Sequence, residues 1–185
     1  METVFPGTVI ERRGKNAREF LDSVFFATDG IMLSQVRKIT ALETPALQNW
    51  VNRGLVERPD EKMYSKNQLA RIILINMLRS VTKNENIGKI MTYINGSATS
   101  RDDDIIGEAD LYIYICEILD KITFETLLSP DELNILTENT IKDYIEPFGG
   151  AHKRLCNGIK MILLYYAASL IKGRADIIME GIVND

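Results

Sequence analysis

The sequence of 185 residues contains one histidine and two cysteines, which leaves few side chains for metal, redox or nucleophilic chemistry. His152 has no catalytic Cys, Ser or carboxylate motif beside it in the sequence, and a lone imidazole does not indicate an active site. Cys116 and Cys156 lie in apolar segments outside any C-x-x-C pair, which is typical of small buried hydrophobic residues in a reducing cytosol. We therefore predict no catalytic residue, no metal site and no cofactor, and we expect that the protein is not an enzyme.

Three further absences limit the classes of protein that remain. A glycine-rich phosphate loop is missing, because Gly149-Gly150 lacks the following spaced glycines and the Gly-Lys-Ser/Thr ending. Residues 1–17 lack the apolar core of a signal peptide, and the longest largely apolar run, residues 161–171, is too short to span a bilayer. Strand-like alternation is nearly absent, whereas helical periodicity recurs. These patterns predict an all-α, cytoplasmic protein that has no membrane segment and at most a small β wing.

The distribution of charge is more informative than the net charge of −4, which alone argues against a nucleic-acid binder. Residues 1–96 carry 14 Lys and Arg against 10 Asp and Glu, whereas residues 97–185 carry 8 against 16. Such an asymmetry between the two halves indicates a basic binding head on an acidic body. Acidic surface on the body would repel phosphate and so help to orient a bound nucleic acid.

One stretch, residues 33–64, predicts two short helices joined by a tight turn and followed by a charged hairpin. Ser34 is expected to cap the first helix and Thr44 the second, where Pro45 occupies an early position that needs no N–H. Gly54 is expected to end the second helix, because glycine suits the left-handed position after a helix. The second helix then has an apolar inner face and an amide-rich outer face, which suits a groove lined with base edges. The inner face comprises Leu47, Trp50 and Val51, and the outer face comprises Gln48, Asn49, Asn52 and Arg53.

This spacing resembles the DNA-binding head of MerR-type regulators, a winged helix-turn-helix domain. The residues that carry the resemblance are Thr44-Pro45-x-Leu47-x-x-Trp50-x-x-x-Gly54-Leu55-Val56, then Arg58-Pro59, then Tyr64-Ser65-x-x-Gln68-Leu69-x-x-Ile72. The match covers residues 32–96, and the whole chain looks like a bacterial family of unknown function whose members carry this MerR-like head. One departure is that Gln48-Asn49 stand where MerR proteins usually have Arg-Tyr, so amides replace a cation that clamps phosphate.

The resemblance implies a DNA interface centred on the second helix. Gln48 and Asn49 would read base edges, because an amide can pair bidentately with adenine. Contacts to the phosphate backbone would fix the register, and their candidates are Ser34, Lys38, Thr44, Arg53, Arg58, Lys62, Tyr64 and Lys66. For the wing, residues 55–64, an ordinary charged loop is the alternative, because three acids stand beside two bases there.

The segments on either side of this head are assigned more coarsely. Residues 1–16 predict an extended arm that is either a solvated tail, a strap across the body or a phosphate contact, since it contains the basic cluster Arg12-Arg13-Gly14-Lys15. The best boundary is residues 97–104, where small polar residues and three consecutive acids favour a linker. We therefore divide the chain into an N-terminal arm and helix (1–30), a winged helix-turn-helix DNA-binding domain (31–96) and a helical dimerisation or effector domain (97–185).

The C-terminal half predicts at least three helices, over residues 105–123, after Ser129-Pro130 and over residues 151–183. These helices carry more apolar surface than a minimal bundle requires, which leaves three alternatives. The surface is a plain core, a dimer interface of the kind that MerR-type proteins form through helices after the head, or the lining of a small-molecule pocket. The candidate lining residues of that pocket are Tyr112, Tyr114, Tyr144, Tyr165 and Tyr166.

Together these observations predict an all-α fold, with a winged helix-turn-helix head and a small β wing followed by an all-helical C-terminal bundle. The expected function is a cytoplasmic, homodimeric, sequence-specific transcription regulator of the MerR-like type. Its partner would be double-stranded DNA, and its C-terminal domain is the candidate site for a small-molecule effector. The alternative is a protein–protein adaptor that uses the winged helix as a docking surface. Salt dependence separates the two, because a phosphate binder loses affinity steeply as salt rises.

Overall fold

The structure is a computed structural model that describes residues 3–96 and 103–184, with side chains as far as residue 182. Within this part of the chain the fold is mostly helical with one small antiparallel sheet, as the sequence predicts. The elements are α1 (Ala17–Val24), β1 (Ile31–Met32), α2 (Leu33–Thr40), α3 (Thr44–Asn52), β2 (Met63–Tyr64), α4 (Lys66–Leu78), α5 (Asn84–Asn95), α6 (Glu108–Leu119), α7 (Phe124–Leu128), α8 (Pro130–Thr140) and α9 (Ala151–Asn184).

The two strands are not the two limbs of the hairpin that residues 55–64 predict. β1 precedes α2 and pairs with β2, with Ile31 opposite Tyr64 and Met32 opposite Met63. Residues 53–62 form a loop, which we call the 53–62 loop, because the N–H groups of Leu55 and Val56 turn inward and donate to one carbonyl at the end of α3. Those two side chains are buried in the core, so they are not available to form an exposed strand.

The helix ends match the sequence prediction at some positions and differ at others. Ser65 and Gln68 form the expected capping box at the start of α4, and Gly54 follows α3 with a positive φ of 68°. Ser34 and Thr44, however, do not cap their helices. Each lies inside the first turn, with Met32 and Glu43 at the capping positions.

The centre of the fold is α4, which is buried on nearly every side and packs against α2, α6 and α9. A helix that is apolar all round has to be covered all round, and these three neighbours supply that cover. One continuous core runs from Phe5 to Tyr166, so the segments predicted as separate domains share it. Most of the predicted linker, residues 97–104, lies outside the described residues.

Residues 3–12 form a strap that packs into the core. Phe5 is 1% exposed, and its ring stacks on that of Phe20 with the centroids 4.5 Å apart. Arg12 is also buried, and its guanidinium lies over the Phe5 ring and forms an ion pair with Asp120 at 2.6 Å. Of the alternatives for the arm, the strap is therefore correct, and a phosphate contact by Arg12 is wrong because its charge is used inside the protein.

Two hydrogen bonds hold the turn of the strap. The Tyr112 hydroxyl donates to the Pro6 carbonyl at 2.9 Å, and the Asn76 amide donates to the Gly7 carbonyl at 2.8 Å. Gly7 has a φ of 73°, and a Cβ atom there would lie 2.6 Å from the carbonyl oxygen of Ile73. Only glycine fits this position, because both the backbone conformation and the space exclude a side chain.

A buried ion pair ties α4 to α6. Arg71 Nη1 lies 3.0 Å from Glu108 Oε1, and the two side chains are 6% and 2% exposed. Arg71 Nε also donates to the Leu55 carbonyl at 2.6 Å, which fixes the start of the 53–62 loop. The helix α6 begins only at Glu108, later than residue 105, because the Asn95 side chain holds the preceding N–H groups outside the helix.

The first half of the last helix, α9, packs in the core, and its second half projects from it. Most apolar side chains of α9 are buried as far as Tyr166, and beyond that point most are exposed, including Ile171, Ile178 and Ile182. Although its uninterrupted apolar run is short, residues 151–182 as a whole are long and apolar enough to cross a bilayer. Core helices of soluble proteins pass the same test of length and composition, and the first half of α9 is largely buried in the core.

The tyrosines predicted to line an effector pocket do not form one cavity wall. Tyr112 is fully buried in the core beneath the strap, and Tyr166 is 6% exposed. The Tyr144 hydroxyl donates to the Ile105 carbonyl at 2.8 Å, so this ring serves to pack the loop before α6. Tyr114 and Tyr165 are half-buried at the edge of the same core.

Candidate nucleic-acid interface

The helical periodicity of α3 separates a buried apolar face from an exposed polar face. Leu47 and Trp50 are 1% and 3% exposed and hold the helix to the core, as the sequence predicts. The opposite surface is polar and exposed, and it comprises Gln48, Asn49, Asn52 and Arg53. Because residues three and four positions apart share a helix face, these side chains form one continuous polar surface. We call it the α3 amide face.

A groove of about 860 Å³ runs beside the α3 amide face, between the start of α2, α3 and the end of the 53–62 loop. We call it the polar groove. Six of the ten residues predicted to contact DNA line it, and they are Ser34, Thr44, Gln48, Arg58, Lys62 and Tyr64. Tyr64 contributes only an edge, since it is 5% exposed, and burial raises the pKa of its hydroxyl.

Among the described residues, the charged side chains that line the polar groove are all positive. Its described lining includes the cations Arg37, Arg58 and Lys62 and no carboxylate. Arg37 is partly neutralised by Glu43, which lies 3.1 Å away and is exposed at the rim. Arg58 and Lys62 form no ion pair with any residue that the structure describes, so both charges are available to an anionic ligand.

The other four predicted residues lie outside the polar groove. Asn49 and Arg53 are joined by a hydrogen bond of 3.0 Å from Nε to Oδ1, on the adjacent row of the α3 amide face. Lys38 is exposed on α2. Lys66 is paired with Asp22 of α1, and this hydrogen bond lowers the pKa of the Asp22 carboxyl, so Lys66 could reach a phosphate only by leaving that partner.

Two residues that line the polar groove were not among the site residues predicted from the sequence. Asn52 is recognisable as part of the outer face of α3 but was not assigned a contact, although its side chain lines the polar groove. Arg37 lies three positions after Ser34 on α2. Residues at this spacing share a helix face, so the predicted contact at Ser34 could have indicated Arg37 as well. Both are exposed and lie within reach of the same ligand as Gln48.

A second concavity, of about 780 Å³, lies between α5, α7, α8 and α9. We call it the apolar groove, because its lining is dominated by Ile90, Tyr93, Leu128, Leu133, Met161 and Leu164. None of the five tyrosines predicted for an effector pocket is among its described lining residues. Any effector site in this half of the chain is therefore better sought here than among those tyrosines.

The residues set aside as chemically isolated in the sequence are not isolated in the fold. Cys156 and His152 lie one turn apart at the start of α9, and both contact Glu138 of α8. Burial and the hydrogen bond to Glu138 raise the pKa of the Cys156 thiol to about 12. Cys116 is far from this cluster in sequence and is buried as a core residue, as expected.

These features define a mostly helical protein with one small antiparallel sheet and a polar groove beside an exposed helix. The chain belongs to the family described as a domain of unknown function, DUF1836, which matches residues 20–115. The predicted membership of a bacterial family of unknown function is thus confirmed. The matched region contains the α3 amide face and the polar groove and ends within α6.

One relative is the uncharacterized protein YkrK of Bacillus subtilis strain 168. It is 28% identical over 109 residues, which are 57% of this chain and 47% of that protein. The chain therefore spans about half the length of this relative. No solved structure matches the chain.

Proposed function

We propose that the protein is a dimeric, sequence-specific DNA-binding transcription regulator of the MerR-like type. The observation that carries the proposal is the polar groove, in which Arg58 and Lys62, which form no ion pair with any described residue, lie beside the exposed amides of α3. Phosphate contacts position a protein on DNA, and amides in the major groove read base edges. In this arrangement α3 is the recognition helix, and the 53–62 loop takes the place of a wing against the flanking backbone.

The roles within this interface follow from position. Gln48 and Asn49 read bases, and Asn52 reads them from the next turn of the same helix. Arg58 and Lys62 approach the phosphates from the 53–62 loop. The acidic C-terminal half faces away from DNA, since its charge would be repelled by phosphate. The proposal thus describes a non-enzymatic regulator of the bacterial cytoplasm.

The projecting end of α9 supports a homodimer. Exposed apolar residues follow one another at alternating intervals of four and three, which is the repeat of a coiled coil. This seam comprises Leu164, Ala168, Ile171, Ala175, Ile178 and Ile182. Basic residues precede acidic ones along the projection, at Lys172 and Arg174 and then at Asp176 and Glu180. An antiparallel pair of such helices would bring opposite charges together, so we assign a second copy of this chain to the seam.

The DNA-binding proposal is tested by selection from a pool of random duplexes, at low and at moderate salt. We expect the native protein to enrich a palindromic site, because a two-fold dimer reads two half-sites. The variant Gln48→Ala/Asn49→Ala should lose the enrichment. The variant Arg58→Ala/Lys62→Ala should bind every sequence more weakly. The slope of log affinity against log salt should fall by about 3.6 for a bound dimer, since four phosphate contacts are lost and each contributes about 0.9.

Matched control variants separate the interface from general surface effects. Asn86→Ala/Asn134→Ala removes two amides from helices outside the α3 amide face, and Lys121→Ala removes a charge from the acidic half. Both should bind as the native protein does. If the native protein shows neither salt-sensitive retention nor enrichment of any sequence, the DNA-binding proposal fails.

The dimer is tested by sedimentation equilibrium over a range of protein concentrations. Ile171→Glu/Ile178→Glu places two charges in the seam and should convert the native dimer into a monomer with an unchanged helical content. Ile135→Glu is a suitable control, because Ile135 is 60% exposed on α8, outside the seam. A native protein that stays monomeric at every concentration would contradict the assignment of a second copy to α9.

An adaptor that docks a partner protein is the second candidate function, and the apolar groove is the observation that favours it. A concave, largely apolar surface fits a hydrophobic side chain or a small apolar effector better than it fits nucleic acid. Binding there would be insensitive to salt, in contrast to binding at the polar groove. Met161→Asp, in the wall of the apolar groove, would abolish an adaptor interaction and leave binding of DNA intact.

A further inference from the structure

The cluster of Glu138, His152 and Cys156 has the distances of a metal-binding site. Glu138 Oε1 lies 3.3 Å from Cys156 Sγ, and Glu138 Oε2 lies 3.4 Å from His152 Nε2. Cys156 Sγ lies 3.9 Å from His152 Nδ1. One ligand atom from each residue can be chosen so that all three lie within 4.8 Å of one another.

These separations can be compared with the geometry that zinc requires. Tetrahedral Zn²⁺ binds sulfur at about 2.3 Å and nitrogen or oxygen at about 2.0–2.2 Å, which gives ligand–ligand distances of roughly 3.3–3.6 Å. The two contacts of Glu138, at 3.3 and 3.4 Å, lie in this range. His152 contacts Glu138 through Nε2 and Cys156 through Nδ1. Because only one of these nitrogens can bind a given ion, the imidazole has to rotate so that the chosen nitrogen approaches both partners. The donor set of one thiolate, one imidazole and one carboxylate is one that zinc accepts and that Mg²⁺ or Ca²⁺ does not prefer.

The backbone positions the three donors independently of any ion. His152 and Cys156 are four residues apart on α9, so their side chains lie on one face of the helix. Leu155 between them is fully buried, which anchors this part of α9 in the core. Glu138 lies in the last turns of α8, next to Thr137, whose hydroxyl is buried and donates to the Leu133 carbonyl. Both helices are thus held by the core.

The cluster is also open to solvent on one side. Cys156 is 3% exposed, whereas the side chains of His152 and Glu138 are 37% and 43% exposed. An ion can therefore enter from solvent, and the fourth position of a tetrahedron remains for water or an exogenous ligand.

We propose that Glu138, His152 and Cys156 form a site for one zinc ion, or a divalent ion of similar preference, that links α8 to α9. On binding, the Cys156 S–H bond is broken, its proton passes to solvent, and the sulfur binds the metal as a thiolate. The ion replaces the hydrogen bond between the thiol and Glu138. The site lies in the first turns of α9, within the buried half of the helix, so metal occupancy fixes that half of α9 to α8. The proposal does not depend on DNA binding and is tested without it.

The test is calorimetric titration of the purified chain with Zn²⁺, after any affinity tag has been removed. Because His152 is the only histidine in the sequence, background binding by other imidazoles is absent. We expect one ion per chain and a rise in melting temperature with zinc. Co²⁺ in place of zinc should give a sulfur-to-metal charge-transfer band together with the visible bands of tetrahedral cobalt.

Variants at each donor make the test specific. Loss of a residue that only supports a ligand typically weakens metal affinity by 10–100-fold, so loss of a ligand itself should weaken it by at least about 100-fold. We expect this for Cys156→Ser and His152→Gln, and a smaller loss for Glu138→Gln. Cys116→Ala is the matched control, since it removes the other thiol and should bind zinc as the native chain does.

His152→Gln changes a partly exposed side chain and should fold without metal, which circular dichroism will check. The proposal is overturned if the native chain binds zinc no more tightly than this variant. It is equally overturned if the cobalt complex lacks the sulfur charge-transfer band, or if Cys116→Ala removes that band and Cys156→Ser does not.

Discussion

Replacing Glu108 by Gln should destabilise the protein far more than removing any exposed ion pair. Glu108 and Arg71 are almost completely buried and lie 3.0 Å apart. Glu108→Gln keeps the size of the side chain and the hydrogen bond from Arg71 Nε to the Leu55 carbonyl, but it removes the negative charge. The guanidinium of Arg71 then stays in the core without its counter-charge.

The magnitude follows from the cost of an uncompensated buried charge. Removing one partner of a buried ion pair typically costs about 3–5 kcal/mol in unfolding free energy. For a chain of this size, 1 kcal/mol lowers the melting temperature by about 2–4 °C, so we expect a decrease of about 6–20 °C. Replacing both partners, as in Arg71→Met/Glu108→Leu, should cost much less than either single change, because no charge is then left in the core.

The assay is urea unfolding followed by circular dichroism and tryptophan fluorescence at neutral pH. The control is Glu85→Gln, which breaks the exposed pair between Lys89 and Glu85 and should leave the urea midpoint almost unchanged, because exposed ion pairs contribute little to stability. A loss of less than about 1 kcal/mol for Glu108→Gln would refute the reasoning. So would a double variant as unstable as the single one, since that would show that packing and not charge governs the site.

Two other predictions concern the strap. Phe5→Ala should lower the unfolding free energy by about 3–5 kcal/mol in the same assay, because it empties a packed aromatic position, whereas Val9→Ala, at a side chain that is 54% exposed, should have little effect. Burial raises the pKa of Tyr112 well above its ordinary value, so the fold favours the neutral phenol. The stability from this preference is complete below about pH 10, where the unfolded tyrosine is also neutral, and falls as the pH rises beyond it. Tyr112→Phe should flatten that alkaline decline in titrations of unfolding free energy, and an unchanged decline would contradict the assignment.

Local features of the fold could be predicted from the sequence because they depend on neighbouring residues. The capping box of Ser65 and Gln68 starts α4, and Ser129-Pro130 starts α8, where the sequence places them. The end of α3 at Gly54 is equally local. α7 was missed, because its cap, Thr123, fell inside the apolar run that predicts a longer α6.

Features that depend on distant residues could not be predicted in this way. The basic character of Arg12 suggested a phosphate contact, but its partner Asp120 is 108 residues further along the chain. The cluster around Cys156 is hidden for the same reason, since Glu138 approaches it only after α8 and α9 pack together. Within the polar groove, by contrast, α3 and the loop after it are close in sequence, and six of ten predicted residues lie there together.

The strap has a consequence for how the chain folds during its synthesis. Pro6 and Arg12 leave the ribosome before their partners Tyr112 and Asp120, which are made more than 100 residues later. Protein synthesis proceeds at about 5–20 residues per second, so roughly 5–20 seconds separate the synthesis of the strap from that of these partners. During that interval the core beneath the strap stays open at one side. Completion of the native fold is therefore a late event, in which residues 3–12 close over helices that have only just been made.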